Sequence, residues 1–266
     1  MRIYLVSLQQ DYERRALLKD RFPQYYKSFI HIQATYGKEI LASDYFNYCS
    51  KYFEKHKRLL TPGELGCTLS HIDALKAFLD TSDDYALIFE DDVIGSDTDI
   101  TKTLKILSEE KKFNGLFLLG GQEGLHYEKY ILGKKINQTN ISQQIYEIPK
   151  FSSKFLFRTC CYIVSRKFAE HILDFHKENF NVADAWFEIL NNTEFSFYYC
   201  NIFKHPLDLA GSHIEKERSK PNEPNFFKRV IKQGVFWKIK NRLTNDFHRI
   251  QLIFLGCEKV FKDRVK

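Results

Sequence analysis

Tyr85-Ala86-Leu87-Ile88-Phe89-Glu90-Asp91-Asp92 is an apolar run that ends in three consecutive acids. The run follows a polar turn at Ser82–Asp84, and such a bounded stretch predicts a short buried strand. Three adjacent carboxylates repel one another and weaken a plain strand end. A divalent cation removes that cost, and hard oxygen donors suit Mg²⁺ or Mn²⁺. The position carries as much weight as the residue type, because open α/β sheets bind ligands beyond the carboxyl ends of their strands. Alternation along an extended chain predicts Glu90 and Asp92 on one side and Asp91 on the other. A solvated acidic turn would give the same local sequence.

Arg2–Leu8 reads as a first buried strand, Tyr12 to about Asp20 as a helix capped by Asp11, and Phe29–Ile32 as a second strand. This strand–helix–strand opening predicts an α/β fold with a mostly parallel central sheet flanked by helices. Residues 35–60 show no clear period. The best-marked helix begins at Thr61-Pro62-Gly63-Glu64, where a threonine cap, a proline in the first turn and a glutamate three residues on form a capping box. Leu65, Leu69, Ile72, Leu75 and Leu79 then share one side of it. Leu116–Leu119 reads as a further core strand, ending in Gly120-Gly121. Phe157–Val164 reads as another, followed by a helix from Ser165. Phe195–Cys200 reads as a late strand.

The 266 residues are 44% apolar and 28% charged, enough to bury a substantial core and unlike a disordered chain. Apolar runs span only a few residues, which excludes a membrane-spanning helix of about 20 apolar residues. The start passes directly into a strand without a signal-peptide layout. No two of the six cysteines form a C-x-x-C pair, so no zinc site is expected, and a reducing compartment is the simpler one. The net charge of +6 is uneven: residues 216–266 hold 14 Lys/Arg against 5 Asp/Glu, so the first 215 residues are mildly acidic. Lys220-Pro221-Asn222-Glu223-Pro224 reads as a linker that divides a body, 1–218, from a basic tail, 219–266.

Two further side chains draw attention. Asp184 lies in Asn181-Val182-Ala183-Asp184-Ala185-Trp186-Phe187. An acid among apolar neighbours is desolvated, its pKa rises, and it suits a general base; it could also cap the helix that follows. His71 sits beside the apolar stripe of the Leu65–Leu79 helix, where a buried or supporting histidine is the commoner case.

These segments, in this order, resemble glycosyltransferase family 25, which includes the lipooligosaccharide galactosyltransferases of Gram-negative bacteria. Ile3-Tyr4-Leu5-Val6-Ser7-Leu8 followed by Glu13-Arg14-Arg15 is similar to its first strand and arginine pair. Gly63-Glu64-Leu65-Gly66-Cys67-Thr68-Leu69-Ser70-His71 resembles its G-E-x-G-C-x-x-S-H segment. Ala86–Val93 resembles its E-D-D-V strand end, and Thr159–Lys167 its G-T-x-x-Y-x-I-S-R-K segment. Arg158 stands here where glycine is usual, and the spacing to Tyr162 is one residue shorter. Val182-Ala183-Asp184 is similar to its P-V-D element, and Ala210–Glu215 to a late S-x-I segment.

The resemblance implies a GT-A-like nucleotide-sugar-binding fold, UDP-galactose as the usual donor, anomeric inversion and a divalent cation, Mn²⁺ more than Mg²⁺. On that reading Asp91 and Asp92 hold the metal, and Val6, Ser7, Leu8, Arg14, Arg15 and Asp91 meet the nucleotide. Asp184 is the first choice for the base and Glu90 the second. Trp186 or Tyr162 could stack on a sugar. The implied partners are a UDP-sugar donor and a lipid-linked oligosaccharide acceptor, with no nucleic acid. The implied place is the cytoplasmic face of the inner membrane. Two other readings of the same residues are a metal-dependent phosphoesterase or nuclease, which would need more scattered acids and histidines, and a non-catalytic basic binding module. In the tail, Ile231, Val235, Ile239, Leu243, Phe247, Ile250, Phe254, Cys257 and Phe261 keep one stripe of one or two helices, with Lys232, Lys238, Lys240, Arg242 and Arg249 largely off it. A basic amphipathic helix of this kind suits an anionic membrane surface. The same stripe could pack on the body or pair two chains as a homodimer.

Overall fold

The computed structural model describes residues 1–109, 112–125, 127–136, 143–207 and 235–261. The Ala210–Glu215 segment, the Lys220–Pro224 linker and the 218/219 boundary lie outside the described residues, as do the side chains of 231–241.

Among the described residues, nine strands form one sheet: β1 (Arg2–Ser7), β2 (Phe29–Gln33), β3 (Tyr85–Glu90), β4 (Gly115–Gly120), β5 (Leu132–Ile136), β6 (Ile145–Glu147), β7 (Cys161–Ser165), β8 (Ser196–Phe203) and β9 (Cys257–Lys259). Their order is β2-β1-β3-β7-β4-β8-β6-β5-β9. β1 pairs in parallel with β2 and β3, and β4 with β8. β7 runs antiparallel between β3 and β4. β6 and β9 are also reversed against their neighbours. The sheet is therefore mixed rather than mostly parallel. A fully buried run such as Cys161–Ser165 carries no sign of its direction, because both of its faces are covered and its pattern is uniformly apolar. The expected strand from Phe157 starts only at Cys161, because Arg158 takes a left-handed φ of 66° that breaks an extended run.

Helices cover both faces. Tyr4, Val6, Ala86 and Ile88 point to one core layer, with Phe168 and Ile172 of α6 (Arg166–Glu178) and Trp186 of α7 (Trp186–Leu190). Ile3, Leu5, Leu87 and Phe89 point to the other, with Leu18 of α1 (Tyr12–Arg21) and Ile100 of α4 (Asp97–Glu109). The period of two along β1 and β3 thus divides the core into its two layers. Trp186 and Tyr162 are buried in the first layer, at 2% and 1% exposure, so neither offers a face to a sugar.

A helix the sequence did not announce, α2 (Ala42–His56), starts at Leu41 without a side-chain cap and buries Cys49 and Tyr52. The best-marked helix is α3 (Pro62–Leu79), with the expected capping box: Glu64 N–H donates to Thr61 Oγ1 at 3.1 Å, and Thr61 N–H to Glu64 Oε2 at 2.9 Å. Arg58 also donates to both Glu64 oxygens, at 2.8 and 3.2 Å. Gly66 lets α3 press against the segment after β2; a Cβ there would lie 2.6 Å from the Thr35 carbonyl oxygen. A short helix α5 (Lys150–Ser153) precedes β7.

The C-terminal helix α8 (Val235–Phe254) ends seven residues before the expected stripe does, and Cys257–Lys259 then joins the sheet edge beside β5. A helix period and a short strand cannot be separated by apolar spacing alone where a glycine, Gly256 at φ 84°, turns the chain between them. α8 docks through Asn245, which accepts from Lys154 Nζ at 2.6 Å, and through His248, whose ring lies 4.4 Å from that of Phe151. Its stripe residues Leu243, Phe247, Ile250 and Phe254 are exposed.

Candidate active site

β1, β2, β3, β4 and β8 end on one edge of the sheet, and β7 begins there. That edge opens into a cleft. Val6, Ser7 and Leu8 from the end of β1, with Arg14 from α1, form one side. Glu90, Asp91 and Asp92 from the end of β3 form its floor, and Cys67, Ser70 and His71 of α3 form the opposite wall. Arg158, Thr159, Val182, Ala183, Asp184 and His205 close it. A second cavity adjoins it at the ends of β1 and β2, sharing Ala34, Thr35 and Tyr36 and reaching Gln9, Gln33, Asn47 and Tyr48.

The three acids do three different things. β3 ends at Glu90, so its side chain follows the pleat to the α3 side, where His71 Nε2 lies 3.1 Å from Oε1 and Thr159 Oγ1 donates to the same oxygen. Burial works against its charge, but the His71 and Thr159 hydrogen bonds prevail and hold the carboxyl below its ordinary range. Asp91 turns the other way, as alternation predicts. Ser7 Oγ donates to its Oδ2 at 2.7 Å and Arg14 Nη1 to its Oδ1 at 2.9 Å. Burial outweighs the Ser7 and Arg14 hydrogen bonds, so this carboxyl is pushed up to about 6. Both Asp91 oxygens are thus occupied by protein donors.

Asp92 does not share the side of Glu90, because the chain has left the strand and is turning. Its Oδ2 lies 3.3 Å from His205 Nε2 and 3.9 Å from Arg14 Nη1. Its Oδ1 is buried with no hydrogen-bond partner among the described residues. A bridge between Ile94 and Lys204, with N–H to O distances of 2.9 and 2.8 Å, ties the turn to the end of β8 and brings Asp92 and His205 together. His205 Nδ1 lies 2.8 Å from the Pro206 carbonyl oxygen; when it donates there, Nε2 faces Asp92. Burial opposes a charge on His205, and Asp92 outweighs it, raising the imidazole pKa. A buried, unpartnered carboxylate oxygen beside an imidazole nitrogen is a donor set that fits a divalent cation. His205 escaped the sequence reading; its one signal was its place just past a late strand, on the edge where ligands bind.

The arginine pair divides. Arg14 lines the cleft. Arg15 instead staples the loop after β1, donating from Nη1 to Ser7 Oγ at 2.8 Å and from Nη2 to the Gln9 carbonyl at 2.7 Å. Asp184 does not cap α7, whose N-cap is Ala185 without a side-chain bond. Its Oδ2 accepts from the Arg158 amide at 2.8 Å. Arg158 is held in its left-handed conformation by that bond, by Nη1 donating to the Gly121 carbonyl at 2.6 Å, and by Trp186 Nε1 donating to its carbonyl at 3.3 Å. The backbone here requires φ > 0, which glycine adopts without strain and arginine adopts only when pinned. Gly121 makes its close approach to Cys160 rather than to the cleft; a Cβ on it would fall 2.2 Å from Cys160 Sγ.

Among solved structures, the chain is similar to the inositol-1-phosphate CTP transferase from T. maritima, at 11% identity and a TM-score of 0.37 over 82% of this chain and 94% of that one. It is similar to a mannose-1-phosphate geranyltransferase from Thermus thermophilus, at 10% identity and a TM-score of 0.36 over 84% and 80%. It is also similar to the glucosyl-3-phosphoglycerate synthase from Mycobacterium tuberculosis, solved with Mn²⁺, UDP and glucosyl-3-phosphoglycerate, at 12% identity and a TM-score of 0.37 over 80% and 76%. No curated protein matches the sequence significantly. The model of glycosyltransferase family 25 (LPS biosynthesis protein) matches residues 1–186, which hold every cleft residue named above except His205. The chain, a mixed α/β protein with its acids, arginine and histidines gathered at one sheet edge, belongs to glycosyltransferase family 25.

Proposed function

We propose that this glycosyltransferase moves galactose from UDP-galactose to a sugar of lipooligosaccharide with inversion at the anomeric carbon. The observation that carries the reading is Asp92. Its buried Oδ1, without a hydrogen-bond partner among the described residues, and its neighbour His205 share one cleft with Asp184, so a donor set for a cation and a candidate base flank the same space. Asp92 and His205 would hold Mn²⁺, with Mg²⁺ the weaker candidate, and the cation supplies Lewis-acid neutralisation of the diphosphate. Asp91, expected from the sequence to share the metal with Asp92, serves better as a clamp, since Ser7 and Arg14 take both of its oxygens.

The rest of the work falls to the chain. Burial opposes the charge on Arg14, and Asp91 more than restores it. The guanidinium lies beside Asp92 and is placed to meet a phosphate oxygen. Ser7 and Leu8, positioned by the Arg15 staple, face the nucleotide, and the adjoining cavity at Gln9 and Gln33 receives the nucleoside. Asp184 takes the proton of the acceptor hydroxyl as that oxygen attacks, and the UDP leaves from the opposite face of the sugar. Glu90 is the alternative base, but the His71 and Thr159 bonds that lower its basicity favour Asp184.

Residues 1–218 form the catalytic body on this reading, and 219–266 a basic extension. No described helix is long and apolar enough to cross a membrane. The exposed Leu243, Phe247, Ile250 and Phe254 on α8 support an interfacial role at the anionic inner leaflet, where a lipid-linked oligosaccharide is presented from the cytoplasmic side. A homodimer through the same stripe would compete with that contact. The test is UDP release from a panel of UDP-sugars with Mn²⁺ and deacylated lipooligosaccharide, with the product linkage read by NMR. Release only from UDP-galactose, and a β linkage, are expected. Release from another sugar would change the donor, and no acceptor-dependent release from any would remove the proposal.

A further inference from the structure

Cys67 and His71 stand one turn apart on α3, so their side chains share a face, and Glu90 meets them from the end of β3. One donor atom from each, Sγ, an imidazole nitrogen and a carboxylate oxygen, lie within 4.8 Å of one another. None of the three belongs to the Asp92–His205 pair. From these residues we infer a second metal site, specific for a thiophilic transition ion of the zinc class and distinct from the hard-cation position at Asp92.

The geometry fits such an ion. Tetrahedral zinc bonds of about 2.0–2.1 Å to nitrogen and oxygen place those two atoms roughly 3.3 Å apart. His71 Nε2 and Glu90 Oε1 are 3.1 Å apart. The outer contacts also suit a metal-binding histidine: Nδ1 lies 3.0 Å from Tyr162 Oη, and with an ion bound Nδ1–H would donate there while Nε2 exchanged its hydrogen bond to Glu90 for the metal. Thr159 Oγ1 donates to the same Glu90 oxygen and fixes the carboxylate beside His71. Cys67, His71 and Glu90 all line the cleft, so a fourth coordination position would open toward it, the arrangement of a three-ligand accessible site rather than a closed structural one. The thiolate gives the selectivity: sulfur favours Zn²⁺ or Co²⁺, while Mg²⁺ and Mn²⁺ favour the oxygen-rich Asp92 side. Sequence spacing hid the site because two of its ligands form a C-x-x-x-H pair within a helix and the third lies 19 residues beyond His71.

The full chain, freed of metal and held in excess Mg²⁺, is titrated with Co²⁺. One equivalent is expected to bring up a thiolate-to-cobalt charge-transfer band together with the intense visible bands of four-coordinate cobalt, and Zn²⁺ should abolish both. Cys67→Ser should lose the charge-transfer band and bind Co²⁺ at least tenfold more weakly, while Asp92→Asn should keep both. No such band at one equivalent, or a band that survives Cys67→Ser, overturns the site. X-ray absorption of the zinc-loaded, unmutated protein decides the matter even if the variant does not fold. One sulfur neighbour at about 2.3 Å with nitrogen and oxygen neighbours near 2.0 Å is expected, and a shell without sulfur refutes the assignment. Neither readout uses glycosyl transfer, so the metal site and the transferase reading fail separately.

Discussion

Replacing Asp184 by Asn separates its two roles in the structure. Its Oδ2 accepts the Arg158 amide at 2.8 Å, and an asparagine oxygen can accept the same bond. What changes is the charge on the acceptor, and a charge-assisted bond is roughly twice as strong as a neutral one, a difference of about 1 kcal/mol. For a chain of this size about 1 kcal/mol lowers the melting temperature by roughly 2–4 °C. The loss in chemistry is much larger. A general base contributes about 10²- to 10⁴-fold, or roughly 3–5 kcal/mol of barrier. The assay is steady-state UDP release with Mn²⁺ and acceptor, beside calorimetry for UDP-sugar binding and a thermal melt. The expected result is a fall in kcat of at least about a hundredfold, donor affinity within a factor of a few, and a melt close to wild type. A kcat within threefold of wild type refutes the assignment and passes the role to Glu90. A drop of more than about 10 °C, well beyond the few degrees expected for one weakened bond, shows instead that Asp184 matters chiefly as the clamp on Arg158.

Asp92→Asn should preserve the fold, abolish metal-dependent UDP binding in calorimetry and lower turnover by several kcal/mol of transition-state stabilisation, about a thousandfold or more; near-normal turnover with Mn²⁺ would contradict it. Thr61→Ala removes one half of the α3 capping box and should cost about 1 kcal/mol in denaturant unfolding with unchanged slope. His176 is 5% exposed, and burial, with His71 adding to it, pushes its imidazole down to about 4. The unfolded chain takes that proton near pH 6.5 and the folded one does not until about 4, so stability present above pH 6.5 is lost as pH falls through this window, by about 3 kcal/mol. His176→Gln should flatten the pH dependence of the urea midpoint by that amount, and an unchanged slope would show that His176 titrates normally. Phe247→Ser and Ile250→Ser on α8 should each weaken sedimentation with anionic vesicles by roughly tenfold or more, from the roughly 1.5–3 kcal/mol carried by a buried apolar side chain, without changing turnover on a soluble acceptor; equal binding would remove the membrane role.

The parts of the fold that were legible in the sequence are those where local chemistry leaves one solution. The Thr61–Glu64 box could only begin a helix, and the alternation of Ile3, Tyr4, Leu5 and Val6 could only suit a strand covered on both faces. The reversal of β7 was not legible, because its apolar residues pack equally well in either direction. Helix α2 was not legible either, since its aromatic residues fall on both its buried and exposed sides: Tyr52 is covered while Phe46 and Phe53 are open. In the site, the acidic run and Asp184 were visible because their types are costly without a partner. Asp91 and Asp92 could not be told apart, since their difference lies in Ser7, Arg14 and His205, which only the folded sheet edge brings to them. The exposed side of α8 was hidden for a similar reason: its stripe is plain in the sequence, but its docking through Asn245 and His248 depends on Lys154 and Phe151, at and just after α5.

The most direct measurement is a crystal structure of the full chain with UDP, collected at a wavelength where manganese scatters anomalously. One manganese peak is expected within bonding distance of an Asp92 oxygen and His205 Nε2, touching the diphosphate, with Asp91 still bound to Ser7 and Arg14. A peak held by Asp91 without His205, or UDP bound away from the edge where β1 and β3 end, would contradict it.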